Sequence, residues 1–439
     1  PFPGAALLLL LAWASPGAAG GSAETLSPER SLVWGPGLHP DIVLPVRYFY
    51  IQAVTAGGRN FTHSPGKRAF RVVIKSLAKE FVRIHVPDPL DRNDGSFLVR
   101  YRMYGTGNQG LMIEVLHGDK HVAQSPYTLK GPVYHEYCDC PEEDPQAWQE
   151  TLSCPDTEAQ ISKDFDPFPS IDLTRMLDEV PKRFADRGAI VHYTVLNNNI
   201  YRHSMGRYTD FKMFSDEMLQ SLARKVRLPD FEFYINVGDW PVEHRKANDT
   251  PGPLPMISWC GSADSRDIIL PTYDITHSTL ETLRGVTNDL LSIQGHTGPS
   301  WSNKTEQGFF RGRDSREERL QLVHMSRKHP ELLDAGITGY FFFRELEEEL
   351  GKASLIGFFD FFNDHDEEAK QIAKEGQTLA RELLQPHRLY CYYYKLFENY
   401  AKRQTSKPEI RENMEHVPQP DDSSAMCQCH RKKRSKEEL

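Results

Sequence analysis

Residues 231–241 read FEFYINVGDWP. The first seven are mostly apolar or aromatic, which predicts a buried β-strand, and Gly238 starts the turn that ends it. Asp239 follows, next to Trp240. A carboxylate beside a large ring at a strand end is expected to be partly removed from water, and such a group can act as a general base. The simpler interpretation is an Asp that caps a turn, and position alone favours it.

Strands and helices alternate on both sides of this stretch. Residues 190–195 predict another strand, and apolar residues at helical spacing predict helices over 170–184 and 215–226. The pattern S-x-x-E at 278–281 is a capping box, which predicts a helix that begins there and runs to Ile293. Alternating strands and helices indicate a wound α/β domain whose ligands bind at the carboxyl ends of the strands.

An arginine-rich segment follows a predicted strand that ends at Phe310. A second capping box at 315–318 predicts a helix that starts near Ser315. The exposed amides of that helix, together with Arg311, Arg313 and Arg319, would suit a phosphate or pyrophosphate. The alternative is a solvated network in which the neighbouring acidic residues pair with these arginines, and composition does not separate the two.

Residues 30–131 predict an all-β domain. Short alternating runs, separated by turn-forming residues, recur at 43–50, 70–74, 81–86, 97–101 and 111–115. Seven or so such strands in about 100 residues indicate a β-sandwich of the immunoglobulin type. The sequences GPGL at 35–38, NDGSF at 93–97 and HVAQSPY at 121–127 resemble a filamin-type repeat. This domain carries no nucleophile, acid pair or metal cluster, so binding or spacing is its expected role.

Both ends of the chain resemble targeting sequences. The apolar run at 5–13 and the small residues after it predict a secretory signal peptide over residues 1–22, too short to span a membrane. The last four residues, KEEL at 436–439, resemble a KDEL-type retention signal at the end of a tail that spans 421–439. We therefore expect a protein of the endoplasmic reticulum lumen, without a membrane span, that is bound by the KDEL receptor. Three glycosylation sequons agree with this compartment, at Asn60, Asn248 and Asn303.

The seven cysteines also suit an oxidising compartment, where disulfides are expected. Because seven is an odd number, at least one thiol should stay free. The sequence CQCH at 427–430 looks like a zinc ligand pattern, but it has no matching second pair, so we predict no metal site. The chain has 61 acidic and 52 basic residues and a net charge of −9, which argues against a nucleic-acid partner.

Four motifs occur in order in the α/β half: HYTV at 192–195, NVGDWP at 236–241, RDIILP at 266–271 and FRG at 310–312. Together they resemble the protein O-glucosyltransferases of the reticulum lumen. The filamin-like domain and the KDEL-like ending are most similar to the KDEL motif-containing members of that family.

The resemblance implies an inverting, metal-independent transferase of the two-lobed GT-B fold over residues 135–420. It implies transfer of glucose from UDP-glucose, without a cofactor, to serine hydroxyls of EGF-like repeats such as those of Notch. Asp239 matches the family's catalytic base. The residues that match donor-binding positions are Arg311, Gly312, Arg313, Ser315 and Arg319. Family-like placement also implies a disulfide from Cys138 or Cys140 to Cys391, with Cys154 as a further candidate.

One departure from the family pattern follows GFFDFF at 357–362, where the chain runs directly into NDHDEEA at 363–369. The family's next strands and a phosphate-binding Ala-Ala-Tyr-Arg segment are missing at about 362–365. A sheet without its central strands exposes edges and loses core, so we expect weak UDP-glucose binding and a truncated second lobe. The alternative function is that of a non-catalytic client-binding protein of the reticulum lumen.

Overall fold

The computed structural model describes most of the chain: residues 25–78, 81–186, 188–280, 291–295, 301–354 and 366–420, with Cys427 and Cys429. The predicted signal peptide, the retention signal and the predicted deletion point lie outside the described residues. Within these ranges no helix combines the length and the apolarity needed to cross a membrane.

The amino-terminal domain is the predicted β-sandwich. Its strands are β1 Leu32–Trp34, β2 Arg47–Gln52, β3 Arg71–Ser76, β4 Ile84–His85, β5 Leu90–Asp91, β6 Ser96–Met103, β7 Gly110–His117, β8 Lys120–His121 and β9 Tyr127–Lys130. One sheet has the order β1-β2-β6-β4 with β5 also on β6, and the other has β3-β7-β8 with β9 also on β7. Phe97, Val99 and Tyr101 point into the core between the sheets, as the alternation predicts. Leu98, on the opposite face of β6, is buried too, because it joins the core of the second domain.

The second domain is α/β and is built on a mixed six-stranded sheet. Its strands are β10 Ala189–Leu196, β11 Asn199–Gly206, β12 Phe231–Asn236, β13 Ile257–Ser258, β14 Ile268–Ile269 and β17 Glu415–Val417. They lie in the order β14-β13-β12-β10-β11-β17. Only two pairings in this sheet are parallel, β12 with β13 and β13 with β14, so the sheet is less regularly wound than predicted. Strands β10 and β11 instead form a hairpin through Asn197 and Asn198, whose φ angles of 50° and 63° suit a tight turn.

The helices of this domain are α1 Pro145–Thr151, α2 Ala159–Phe165, α3 Leu173–Phe184, α4 Lys212–Ala223, α5 Tyr273–Leu280, α8 Asp366–Leu383 and α9 Pro386–Arg403. The described side chains of α8 are largely exposed, and its Arg381 pairs with Asp94 of the sandwich over 3.0 Å. Helix α3 confirms its predicted pattern: the Asp172 side chain caps its first turn, and Met176 and Val180 are buried along one face. The capping box at 278–281 is a wrong prediction, because α5 begins at Tyr273 and Ser278 lies in its last turn. Residues 281–290, where the predicted helix would continue, lie outside the described part.

A small α/β unit spans residues 308–354. Its parallel strands β15 Gly308–Arg313 and β16 Leu333–Gly339 pair side by side, and α6 Glu317–Lys328 and α7 Glu347–Leu350 accompany them. Its buried core consists of Leu320, Val323, Ile337 and Leu350. Among the described residues, this sheet has only two strands.

Two predictions fail in this unit. The predicted strand does not end at Phe310, because Arg311, Gly312 and Arg313 also belong to β15. Helix α6 begins two residues later than expected, with Arg316 at the N-cap position and no side-chain cap. The reason lies in Asp314, whose carboxylate accepts hydrogen bonds from three consecutive backbone amides at 341–343. These bonds tie the chain to the loop after β16, so the helix starts only beyond them.

The two domains share a core. Ile42, Leu44 and Tyr50 from the sandwich belong to the same buried cluster as the helices of the α/β domain. The Tyr48 hydroxyl is hydrogen-bonded to Nδ1 of His387, at the start of α9, over 2.5 Å. This continuous apolar contact fixes the orientation of the sandwich against the second domain.

Three disulfides cross-link the fold: Cys138–Cys427, Cys140–Cys429 and Cys154–Cys391. The expected pairing of Cys391 with Cys138 or Cys140 is therefore wrong. Cys391 lies on the buried face of α9, which packs against Trp148 of α1, and Cys154 follows α1 directly. Cys427 and Cys429 are paired within disulfides, so the zinc alternative does not hold, and Cys260 is the one free thiol of the seven cysteines.

Candidate active site

Asp239 lies at the carboxyl end of β12, in the loop that follows this central strand of the six-stranded sheet. The start of β10 lies beside the end of β12, because Ile190 pairs with Asn236 in antiparallel register. The segment after β11 lies at the same end of the sheet. A cavity of about 510 Å³ opens there, lined by Gly188, Ala189, Tyr208, Asp210, Phe211 and residues 236–242. The sheet therefore places Asp239 at a concave, aromatic-lined surface.

The Asp239 side chain is exposed to solvent. The predicted partial removal of this carboxylate from water is therefore not found in this structure. The neighbouring Trp240 side chain is 67% exposed and lines the cavity without covering the carboxylate. The thiol of Cys260 donates a hydrogen bond to the backbone oxygen of Asp239 over 3.1 Å. Burial raises the pKa of that thiol, and the carboxylates of Asp267 and Asp239 raise it further.

The backbone around Asp239 is held by side chains from three neighbouring strands or their flanks. Asn236 ends β12 and Ser258 ends β13, and these two residues are register partners. Asp267 directly precedes β14. All three are buried, with exposed fractions of at most 4%. Burial raises the pKa of the Asp267 carboxyl, while hydrogen bonds from the Ser258 hydroxyl and from three backbone amides, including its own, act in the opposite direction.

The arginine segment and the Asp239 loop meet in the structure. The guanidinium of Arg316 lies over the Trp240 ring, 5.5 Å from its centroid, which is within the range of a cation–π contact. Because Arg316 is the N-cap residue of α6, this contact brings the amino-terminal end of that helix next to the Asp239 loop.

The residues predicted to bind the donor differ in their contacts. Arg311 is in an ion pair, since its guanidinium contacts both carboxylate oxygens of Asp334 at 2.9 and 2.8 Å. Arg313 and Ser315 are exposed. Arg319 donates to the backbone oxygen of Arg313 over 3.0 Å and lies near Gly312. Of the predicted set, the structure thus brings Gly312, Arg313 and Arg319 together.

The three sequon asparagines, Asn60, Asn248 and Asn303, are all exposed, which is compatible with glycan attachment. In the described ranges, no group of three or more His, Cys, Asp or Glu side chains has an arrangement that would hold a metal ion.

Sequence reasoning missed several residues of this site. Asn236 and Asp267 stand in the motifs at 236–241 and 266–271, yet neither had an assigned role. A polar residue between apolar neighbours at a strand end is a pattern that could have singled out Asn236, and Ser258 between Ile257 and Trp259 has the same pattern, since buried polar groups need partners. Asp267 follows Arg266, and neither it nor Arg316 has such a pattern, because their contacts arise only in the folded chain.

Comparison with known proteins matches each of the two domains to a protein family. The family model described as "Glycosyl transferase family 90" matches residues 149–361 and 349–438, and the model "Filamin/ABP280 repeat" matches residues 25–128. Protein O-glucosyltransferase 3 of Homo sapiens is 62% identical over 502 aligned positions, with 99% of each chain covered. Protein O-glucosyltransferase 2 of Danio rerio is 43% identical and covers 93% of this chain and 94% of its own. O-glucosyltransferase rumi of Drosophila melanogaster is 26% identical over 40% of this chain and 43% of its own. The chain therefore belongs to glycosyl transferase family 90, among the protein O-glucosyltransferases, and carries a filamin repeat before its transferase domain.

Proposed function

We propose that this protein transfers glucose from UDP-glucose to serine hydroxyls of EGF-like repeats, such as those of Notch, with Asp239 as the general base. The observation that carries the proposal is the position of Asp239. This residue is exposed in a cavity at the carboxyl end of β12, and the amino-terminal end of α6 lies beside it. The names of the relatives support an O-glucosyl transfer.

The chemistry needs one base and a stabilised leaving group. The serine oxygen attacks the anomeric carbon as the bond from that carbon to the diphosphate oxygen breaks. Asp239 takes the serine proton, and UDP leaves with the bonding electron pair. A direct displacement inverts the anomeric carbon and forms no covalent enzyme intermediate. An exposed carboxylate suits this role, because it must meet the hydroxyl group of a large folded acceptor.

The donor diphosphate would lie at Gly312, Arg313 and Arg319, with the exposed Ser315 beside them. Positive side chains and backbone amides at a helix start can stabilise the charge that develops on a departing diphosphate, and this step requires no metal ion. Arg311 would not bind the diphosphate, since its guanidinium pairs with Asp334. Its role would be to stabilise strand β15, and Arg313 and Arg319 would bind the diphosphate.

The compartment that fits this activity is the lumen of the endoplasmic reticulum, where the ending KEEL would be bound by the KDEL receptor. Three disulfides and three exposed sequons support an oxidising, glycosylating compartment.

We further propose that the activity of this chain is impaired. The alignment with the human relative runs over 502 positions and the chain has 439 residues, so at least 63 positions have no residue here. The small α/β unit, which would be the second lobe of a GT-B fold, has two strands among its described residues. This same observation favours the second candidate, a non-catalytic client-binding protein of the reticulum lumen.

The test is mass spectrometry of an EGF-like repeat after incubation with UDP-glucose and this chain. We expect a slow gain of one hexose that Asp239→Asn abolishes. Asp230→Asn is the matched control, because Asp230 is an exposed carboxylate at the other end of β12. Parallel incubation with UDP-xylose reports the choice of sugar. No transfer with either donor, while a family member that retains the missing block is active, would favour the client-binding function.

UDP binding separates the two candidates further. Arg319→Ala should abolish UDP binding measured by calorimetry if the transferase proposal holds. A client-binding protein would hold its EGF-like partner equally well with Arg319→Ala or Asp239→Asn.

A further inference from the structure

A buried network of side chains makes hydrogen bonds to the backbone on both sides of Asp239. Its first member is Asn236. Its Oδ1 accepts from the backbone amide of Gly238 over 3.1 Å, and its Nδ2 donates to the backbone oxygen of Trp240 over 2.6 Å. One side chain therefore fixes the residue before Asp239 and the residue after it.

Asp267 holds the next part of the same loop. One carboxylate oxygen accepts from the backbone amide of Val242, and the other accepts from that of Glu243, each over 3.0 Å. Both amides lie within four residues of Asp239. Hydrogen bonds to a charged, buried acceptor are among the stronger ones in proteins.

Ser258 connects Asn236 and Asp267. Its hydroxyl donates to Oδ1 of Asp267 over 2.5 Å and accepts from Nδ2 of Asn236 over 3.2 Å. The three side chains thus form one connected network, and the relative exposures of Asn236, Ser258 and Asp267 are 1%, 0% and 4%.

We propose that Asn236, Ser258 and Asp267 are positioning residues that set the location of the Asp239 carboxylate. The inference rests on the proposed function, in which Asp239 is the base. The Asp239 side chain is exposed, so packing does not hold it in place. Its position comes from the backbone, and the network fixes that backbone. A base has to lie within hydrogen-bond reach of the proton that it removes, and displacement by about 1 Å can cost about 100-fold in rate.

The experiment measures two quantities on the intact chain with the variants Asp267→Asn and Ser258→Ala. Hydrogen–deuterium exchange of residues 238–243 reports the order of the loop. Steady-state kinetics with UDP-glucose and an EGF-like repeat reports kcat and both KM values. We expect faster exchange in the loop and a fall of about 10- to 100-fold in kcat, with the KM for UDP-glucose nearly unchanged.

The matched control is Glu232→Gln. Glu232 is a fully buried carboxylate on the same strand, at its opposite end, and it pairs with Arg411 and His192. We expect this variant to lower thermal stability and leave both the loop exchange and kcat unchanged. Ser258→Ala removes a single oxygen atom, so it remains informative if Asp267→Asn fails to fold.

The outcomes separate this inference from the proposed function. Unchanged exchange at residues 238–243 in Ser258→Ala would overturn the positioning role, whether or not the chain is active. Faster exchange with an unchanged kcat would overturn it as well. A wild-type chain that transfers no sugar would count against the proposed function, while the exchange measurement would still decide whether the network orders the loop.

Discussion

The carboxylate of Glu136 links the segment that leaves the sandwich to the end of α4, and we expect its removal to destabilise the α/β domain strongly. Its oxygens accept hydrogen bonds from Lys225 over 2.6 Å, from Arg224 over 3.0 Å and from Ser221 over 2.5 Å. Glu136→Gln keeps the shape of this side chain and removes its charge. Lys225 and Arg224, which are 2% and 5% exposed, would then lose the carboxylate that accepts their hydrogen bonds and offsets their charge.

The size of the effect follows from this burial. Removal of one partner from a buried ion pair costs about 3–5 kcal/mol, because the remaining charge is uncompensated. Domains of roughly 150–250 residues lose about 2–4 °C in Tm per kcal/mol, so we expect Tm to fall by about 6–20 °C. Burial lowers the pKa of the Lys225 ammonium to about 8, although the Glu136 carboxylate acts in the opposite direction.

The effect should depend on pH in a defined direction. Burial raises the pKa of Glu136, but Lys225 and Arg224 more than offset this, so its pKa in the folded chain lies below the ordinary value of 4.5. A carboxyl with a lowered folded pKa contributes stability above its unfolded pKa and loses it as the pH falls through the folded value. The difference in unfolding free energy between wild type and Glu136→Gln should therefore be full above pH 4.5 and shrink below it.

The assay is thermal and urea unfolding, followed by near-ultraviolet circular dichroism, of wild type and two variants. The matched control is Glu143→Gln, since Glu143 pairs with Arg227 over 3.2 Å at side-chain exposures of 34% and 43%. Such a surface pair contributes about 0.2–1 kcal/mol. The reasoning would be refuted if Glu136→Gln lost no more stability than Glu143→Gln.

Three further predictions concern other contacts. The Arg316–Trp240 contact should contribute about 0.5–1 kcal/mol. A double-mutant cycle with Arg316→Ala and Trp240→Ala would measure this coupling from the hydrogen-exchange protection of the first turn of α6. A coupling of zero would show that the contact carries no energy. Burial lowers the pKa of His387 from 6.5 to about 4, so the unfolded chain takes up a proton between these values that the folded chain does not. The unfolding free energy should therefore fall as the pH drops from 6.5 to 4, and His387→Gln should flatten that dependence in urea titrations. Replacement of Cys154 and Cys391 by Ser should cost about 2–4 kcal/mol, and an unchanged Tm would contradict it.

The sequence predicted elements well wherever one element buries a continuous face. Strand β12 and helix α3 agree with their patterns because their apolar residues point to one core. Boundaries failed where a distant segment competes for local groups. Ser315 and Glu318 have the spacing of a capping box, but the carboxylate of Asp314 binds amides at 341–343, some 27 residues away, and shifts the helix start. No local pattern contains that contact.

The candidate site shows the same division. The motif around Asp239 identified the loop, because a turn after a buried strand is a local property. The state of Arg311 depends on Asp334, a residue of the neighbouring strand, so composition could not separate a phosphate site from a paired arginine, and the structure has an ion pair. The pairing of Cys391 could not follow from spacing either, since several pairings of seven cysteines satisfy the same sequence.

The paired disulfides near the end of the chain have a mechanical consequence. Cys427 and Cys429 are joined to Cys138 and Cys140, where the α/β domain begins. A pull on the last residues therefore passes through sulfur bridges into the base of the domain, and the strand and helices in between carry no load. A single protease cut between residues 141 and 426 would open this loop and leave the two fragments joined by these disulfides, so they would separate only after reduction.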